Sequence, residues 1–492
     1  MRRLLAMLML VVLVVSLFAA CGGKNPSTND PSKNPSGNNP SGNNPSGDNV
    51  VKADPNFDVP TGGYDGSAVE ITFYHTMGQN LRDVLDYYIV EFNKLYPNIK
   101  IVSEQVGGYD DVREQISTEI PAGNQPNIAY CYPDHVALYI LAGAVAHLDN
   151  LIDSKIEVTR EDGTKEIIGL TDEQKADFIE GYYNEGKQFG DGLMYTMPLS
   201  KSTEVLYYNK TFFEANNLTV PTTWDELEKV CEQIKKIDPE SIPLGYDSEG
   251  NWFITMCEQS NSPYTSAGDD HYLFDNDINK AFVKKFNGWY NKGYLTTQTL
   301  YGAYTSGLFT AQEGIKSYMS IGSSAGATHQ RPDKVDGAYP FEVGIATIPQ
   351  LSKDNQKVIS QGPSLCIFQK SNPQEVIASW LFVKFLTTNV AFQAEFGMAS
   401  GYVPVLKSVS ENEVYADYLN SADGGDYVSA LAAKICLDQQ DAYYTSPAFN
   451  GSSIARDQVG ALMSKCLVLT EDIDNQINRA FQDAIDECEY NG

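Results

Sequence analysis

The sequence predicts an α/β protein built as two substantial domains, and three observations carry that reading. Residues 67–492 have ordinary globular composition and enough length for two separate cores. Between residues 69 and 132, segments of strand and helix character alternate as β-α-β-α-β, which implies a mostly parallel sheet covered on both faces. The same alternation resumes beyond Met194 and continues to the C-terminus.

Each element has a local reason. Residues 69–74 alternate in polarity as a short strand does, and Leu81, Leu85, Tyr88, Ile89 and Phe92 fall on one face of a helix over 81–95. Pro97-Asn98 closes that helix, residues 100–106 read as a strand, 111–120 as a helix, 121–126 as a turn and 127–132 as an apolar strand. Sheets of this kind hold ligands beyond the carboxyl ends of their strands, so residues 75–79, 107–110 and 133–135 are candidate site loops. Residues 160–165 read as a polar hairpin or insertion, and 194–208 mix extended residues with Pro198, Ser200, Ser202 and Thr203. Thr171-Asp172-Glu173-Gln174 and Thr223-Trp224-Asp225-Glu226 are capping boxes, the second opening a helix to about Ile237. A helix near 279–292, strands at 317–321, 343–348 and 364–368, and a long helix over 374–388 follow. In the last helix, 472–488, Ile473, Ile477, Phe481, Ile485 and Cys488 share one packing side.

The N-terminus reads as an export signal, an anchor and a tether. Met1-Arg2-Arg3 precedes an almost unbroken apolar run over 4–20 with no charged flank beyond it, the pattern of a signal peptide. Ala19 and Ala20 before Cys21 look like the lipobox of bacterial lipoproteins, with Phe18 where Leu is usual, so lipidation is expected at Cys21. A plain secreted protein and an uncleaved membrane helix are the alternatives. From residue 21 to 66 the chain is rich in Asn, Pro, Ser and Gly, with Asn34-Pro35-Ser36-Gly37-Asn38 recurring at Asn39 and Asn44. That five-residue repeat has no apolar side chain to bury, and the tract is expected to stay solvated, reaching about 35–40 Å for roughly 45 residues. A body so tethered hangs beside a membrane, which suits a receptor that hands on cargo, a surface enzyme or an adhesin.

Composition narrows the classes further. A formal charge of −29, spread along the chain, opposes contact with nucleic acid, and no nucleic-acid partner is expected. Beyond Cys21 the cysteines are Cys131, Cys231, Cys257, Cys366, Cys436, Cys466 and Cys488, odd in number and without C-x-x-C spacing. That argues against a full disulfide framework and a zinc site and for small buried hydrophobes, with one or two bridges left open.

Only Gly322-Ser323-Ser324-Ala325-Gly326 spells catalysis, as a match to the G-x-S-x-G nucleophile elbow. An α/β-hydrolase needs its acid and then its histidine later in the chain. Four of the five histidines precede Ser324 and His329 lies only five residues on, so the triad order fails. The same turn offers backbone N–H groups and the hydroxyls of Ser323 and Ser324 to a polar ligand, or is simply structural. Asp275-Asn276-Asp277-Ile278-Asn279 begins like a calcium loop, but Lys280 replaces the needed Gly and no glutamate stands at the twelfth place, which leaves a helix-opening turn. Paired carboxylates are too common in this acidic chain to single out a glycosidase dyad. Trp224 and Trp380 fall at packing positions of helices, whereas Trp252, after Gly250-Asn251, reads as a loop residue able to cover the C–H face of a sugar.

Ile71-Thr72-Phe73-Tyr74-His75-Thr76-Met77-Gly78 and Glu91-Phe92-Asn93-Lys94-Leu95-Tyr96-Pro97-Asn98-Ile99 look like the opening of family 1 extracellular solute-binding proteins. Residues 197–210, 221–227 and Gly401-Tyr402-Val403-Pro404-Val405 resemble later parts of the same family, so the likeness spans nearly all of 67–492. The chain is most similar to the branch that holds glycerol-3-phosphate-binding proteins alongside many carbohydrate receptors of Gram-positive bacteria. The resemblance implies a periplasmic-binding-protein-like fold, with two lobes, each a mostly parallel sheet flanked by helices, joined by crossing strands around a ligand cleft. By it, the first lobe takes 67–200 and 343–400 and the second 201–342 and 401–492. Tyr109, Asp134, Ser202, Trp252, Ser324, Gly362 and Tyr402 fall where that branch has cleft residues.

Near Phe449-Asn450-Gly451 the glycerol-phosphate proteins place a basic side chain, whereas here the nearest arginine is Arg456, about two turns on. Without a guanidinium fork or a helix N-terminus a phosphate dianion is poorly held, so an uncharged oligosaccharide or polyol is expected. What the resemblance implies is therefore a monomeric, lipid-anchored receptor on the outer face of the cell membrane. Its lobes close on a carbohydrate that passes to the permease of an ABC importer, with no catalytic residue, metal or cofactor. A glycerol-3-phosphate or glycerophosphodiester receptor is the alternative within the class; a surface glycosidase and an adhesin are alternatives outside it.

Overall fold

The computed structural model describes residues 57–268, 270–421 and 427–491, all within one compact unit, Asn49–Gly492. The signal peptide, Cys21 and the tether up to residue 56 lie outside the described residues. The tether expected through residue 66 ends earlier: Phe57 is buried in the first core, and Val59 and Tyr64 pack against it, because these side chains find apolar surface to cover.

Two sheets organise the described chain. The first runs in the order Ile99–Gln105, Val69–His75, Ile128–Cys131, Ser364–Ile367, Thr196–Pro198. Its first three strands are parallel and the last two pairings antiparallel. Val69, Ile71 and Phe73 turn one face inward, and the helix Gln79–Leu95 covers it with Leu85, Tyr88, Ile89 and Phe92. Pro373–Thr388, opened by Asn372 accepting from the Gln374 N–H at 3.1 Å, is buried along most of its length and runs through this core. Among the described residues no single helix is long and apolar enough to cross a membrane.

The second sheet runs Tyr443–Tyr444, Val358–Gln361, Ser202–Asn209, Met319–Ser323, Leu244–Tyr246, Leu295–Thr297, with Val343–Thr347 also paired to Ser202–Asn209. Ser202–Asn209 is antiparallel to all three of its neighbours, while the pairings further out are parallel. Both sheets are therefore mixed, although the α/β class and the two lobes are as expected. The expected helix starts are present too. Thr171 and Gln174 cap each other at 3.1 and 3.0 Å, Thr223 and Glu226 do so at 3.2 Å each way, and Asn276, from the false calcium loop, caps Asp277–Asn291.

Lobe boundaries differ from expectation in two places. Residues 343–361 were assigned to the first lobe, yet Val343–Thr347 and Val358–Gln361 complete the second sheet by satisfying the open edge of Ser202–Asn209. Residues 401–419 were assigned to the second, yet Val405, Leu406, Val409, Tyr415 and Tyr418 are buried in the first core. The helix Tyr427–Asp438 serves both, with Ala430 and Ala433 in the first core and Val428, Ala432 and Cys436 against Val205, Tyr207 and Ile345.

Two crossings lie side by side, residues 199–201 and Gly362-Pro363; Val403 pairs with the first of them, and the helix Tyr427–Asp438, packed against both cores, lies on the chain's third passage. Lys201 and Val403 exchange backbone hydrogen bonds at 2.9 and 2.6 Å. Gly362 has φ of 111°, and a Cβ there would stand 2.6 Å from the Ser200 carbonyl oxygen, so the crossing demands glycine. Beneath it the buried Lys201 ammonium pairs with Glu185 and donates to Gly362 O and Ser364 Oγ, each at 3.1 Å. Cys131, Cys231, Cys257, Cys366, Cys436, Cys466 and Cys488 are buried and unbridged.

Candidate functional site

A cavity of about 310 Å³ lies between the two sheets, at the lower end of the range for ligand sites. Its first-lobe wall comes from the starts of the helices that follow two parallel strands, where loops were expected: Tyr109 and Asp110 open Tyr109–Glu119 after Ile99–Gln105, and Tyr132, Asp134 and His135 open Pro133–Leu141 after Ile128–Cys131. The third candidate loop, 75–79, does not line it. The second-lobe wall is Tyr264, Thr265 and residues 445–447 together with the first turn of the helix Ser452–Leu467, and Glu185, Ser360 and Gln361 close the floor at the crossings.

Aromatic packing makes the first wall rigid. Tyr109 stacks on Tyr130 with centroids 5.6 Å apart and lies 4.3 Å from Tyr132, with Tyr402 beside it. Burial pushes the phenols of Tyr109, Tyr132 and Tyr402 upward, so they present neutral O–H groups. The opposite wall offers unused hydrogen-bonding capacity: Tyr264 OH, Thr265 Oγ1, Ser360 Oγ and Ser446 Oγ are buried without a partner. Buried hydroxyls are normally satisfied, so four orphans around one cavity describe a place for a hydroxyl-bearing guest.

Four carboxyl groups, of Asp110, Asp134, Glu185 and Asp457, line the cavity against two guanidiniums, of Arg113 and Arg456. Burial opposes charge on Asp134, but His135 and Arg456 outweigh it and hold the carboxyl below its ordinary range. The Asp134 Oδ2 to Arg456 Nε distance of 3.5 Å spans the cleft from one lobe to the other. Burial and then the neighbouring Asp110 push Asp457 up. Arg456 also donates to Asn251 Oδ1 at 2.7 Å.

The residues expected in the cleft separate into groups. Tyr109 and Asp134 line the cavity, and Tyr402 backs Tyr109. Ser202 and Gly362 sit at the crossings, and Ser324, wholly buried, accepts from the Thr203 N–H at 3.2 Å. Ser323 faces a second cavity. Phe449 stacks on His271 with centroids 4.4 Å apart, one turn before the lining Ser452.

Trp252 is a correction. It belongs to the helix Glu249–Gln259 rather than a loop, is 0% exposed, and is packed between Tyr246 and Phe286, 4.7 and 4.3 Å away, so it has no free face to offer a sugar. Arg456 is the second correction. It was placed too far along the chain to matter, yet Ser452–Leu467 starts at the cavity and sets Ser452, Ser453 and Arg456 on its lining face. Both a guanidinium and a helix N-terminus are therefore present. What opposes a phosphate dianion is instead the excess of carboxylates around them. Sequence reasoning also missed Tyr132, Tyr264 and Asp457. Tyr132 adjoined a candidate loop and was within reach; Tyr264 lies in a stretch without pattern.

Two α/β lobes joined at narrow crossings, with a polar cavity between them, define a two-lobed binding protein. The chain belongs to the bacterial extracellular solute-binding protein family, whose sequence profile matches residues 87–422. The sn-glycerol-3-phosphate-binding periplasmic protein of Salmonella typhimurium is 24% identical over 392 residues, 74% of this chain and 81% of the relative. A maltotriose-binding protein of Pyrococcus abyssi is 24% identical over 351 residues, 69% of this chain and 67% of that protein. The fold is similar to the cyclic α-maltosyl-1,6-maltose binding protein of Arthrobacter globiformis, with TM-score 0.66 and 19% identity over 87% of this chain and 100% of the other.

Proposed function

We propose that this protein is the receptor of an ABC importer, anchored outside the cell by lipid on Cys21, and that its lobes shut on a neutral carbohydrate which leaves chemically unchanged. The observation that carries this reading is the set of unpartnered hydroxyls, Tyr264, Thr265, Ser360 and Ser446, gathered around a cavity whose other wall is the Tyr109–Tyr132 pair. Polyols answer hydroxyls with hydroxyls, and aromatic faces cover their C–H surfaces. The named ligands of the maltotriose-binding and cyclic maltosyl-maltose-binding relatives support the carbohydrate class. Arg456 and the first turn of Ser452–Leu467 favour glycerol-3-phosphate as the second reading, in keeping with the Salmonella relative.

Thermal shift of the full chain in detergent against neutral oligosaccharides and glycerol-3-phosphate decides between them. Ligand at a hundredfold its Kd stabilises by about 2.7 kcal/mol. Stabilisation by an oligosaccharide, recovered intact by mass spectrometry, is expected. Stabilisation by glycerol-3-phosphate alone favours the second reading, and release of a shortened sugar overturns both.

A further inference from the structure

A second cavity, of about 590 Å³, lies in the second lobe at the ends of Leu244–Tyr246 and Met319–Ser323. Gln361 lines both cavities, and its amide exchanges two hydrogen bonds with Asn251, at 2.9 and 3.0 Å, so this amide pair is the partition between them. The turn Ser324–Gln330 forms one side, with Ser323, Gly326, His329 and Gln330 on the lining.

Its chemistry differs from that of the first cavity. The carboxyl groups of Glu204 and Asp247 both line it, and among the described residues no lysine or arginine does. Glu204 accepts from Tyr246 OH at 2.7 Å, and Asp247 Oδ1 accepts from the Thr305 N–H and Oγ1 at 2.6 and 2.7 Å. Asp247 Oδ2 points at Gly322, lying 3.0 Å from where a Cβ would stand there, so glycine leaves that oxygen accessible. An independent sign of a guest is Gln330, a lining residue 2% exposed whose Oε1 has no hydrogen-bond partner. A divalent cation needs six or more oxygens, and among the described residues no group of three carboxylate, histidine or cysteine ligands gathers anywhere.

We infer that this cavity is a second compartment of the binding site, entered past Gln361, and that it takes a sugar unit bearing a protonated amine. This rests on the carbohydrate reading and extends it. An ammonium supplies the counter-charge that the lining around Glu204 and Asp247 lacks and relieves two neighbouring buried carboxyls of their mutual repulsion. A neutral unit fills the same space but leaves the carboxyls without a counter-charge.

The test is calorimetric titration of the full chain, at neutral pH, with a glucosamine disaccharide and with its N-acetylated counterpart of the same linkage. The amine form is expected to bind roughly tenfold more tightly or better, as one charge-assisted bond warrants. Asp247→Asn is expected to erase that preference, the ratio of the two affinities falling to about one, and Glu204→Gln reads the same ratio should the first variant misfold. Equal or tighter binding of the N-acetyl form, or a preference that survives both substitutions, overturns the inference and leaves the carbohydrate reading standing. Binding of neither disaccharide also overturns the inference, while the carbohydrate reading falls only if the oligosaccharide screen above finds no stabilising sugar.

Discussion

At the residue scale, the site depends on groups whose value shows only when a guest is present. Tyr264 OH lacks a partner, so Tyr264→Phe is expected to leave the unliganded unfolding midpoint unchanged or slightly higher. Ligand binding should weaken by about three- to tenfold, the net worth of one hydrogen bond; titration beside denaturant unfolding checks both halves. Glu204 carries a pH signature. Burial, against hydrogen bonds from Tyr246 and Asn251, raises its carboxyl from an ordinary 4.5 to about 7. The folded protein therefore binds this proton more tightly than the unfolded chain. Its contribution is full below pH 4.5 and is lost as pH rises towards 7, by on the order of 3 kcal/mol. Glu204→Gln should flatten that descent in unfolding experiments run across the window.

Legibility at this scale followed the pattern of the chain. Tyr109 and Asp134 stand at strand ends, where the alternation of elements points, and they line the cavity. Trp252 misled because Gly250-Asn251 reads as a loop, whereas Ser248 caps a helix there by accepting from the Asn251 N–H at 3.3 Å. That helix then buries the indole in the core. Arg456 was visible, but distance along the chain is a poor guide when a helix begins at the cavity.

At the element scale, the crossings are where the fold commits chemistry to motion. Lys201 is fully buried and holds Glu185, Gly362 and Ser364 together beneath the cavity. Lys201→Ala leaves the Glu185 carboxylate buried without its cation and should cost about 3–5 kcal/mol in denaturant unfolding. Lys201→Met combined with Glu185→Gln should restore most of it. Capping boxes, the helix Gln79–Leu95 and the strands of the first sheet were readable because their signals are local. Ownership of Val343–Thr347 was not. Its alternation marks a strand, but the open edge of Ser202–Asn209 decides which sheet takes it, and that edge is made by residues more than a hundred positions away.

At the scale of the whole molecule, two lobes meet across a polar gap bridged by Asp134 and Arg456, and a ligand between them adds contacts to both walls. A guest that binds both walls shifts the population towards the closed arrangement by its differential affinity for that state. On the proposed function the crossings are the place for that movement, as hinges of a few residues are in other two-lobed clamps. The most direct check is the distance between spin labels on Val90, exposed on a first-lobe helix, and Ile278, exposed on a second-lobe helix. With the oligosaccharide that stabilises the protein at saturation, the distance distribution should collapse to one shorter population. A distribution unchanged by that saturating ligand would contradict closure of the lobes around a carbohydrate.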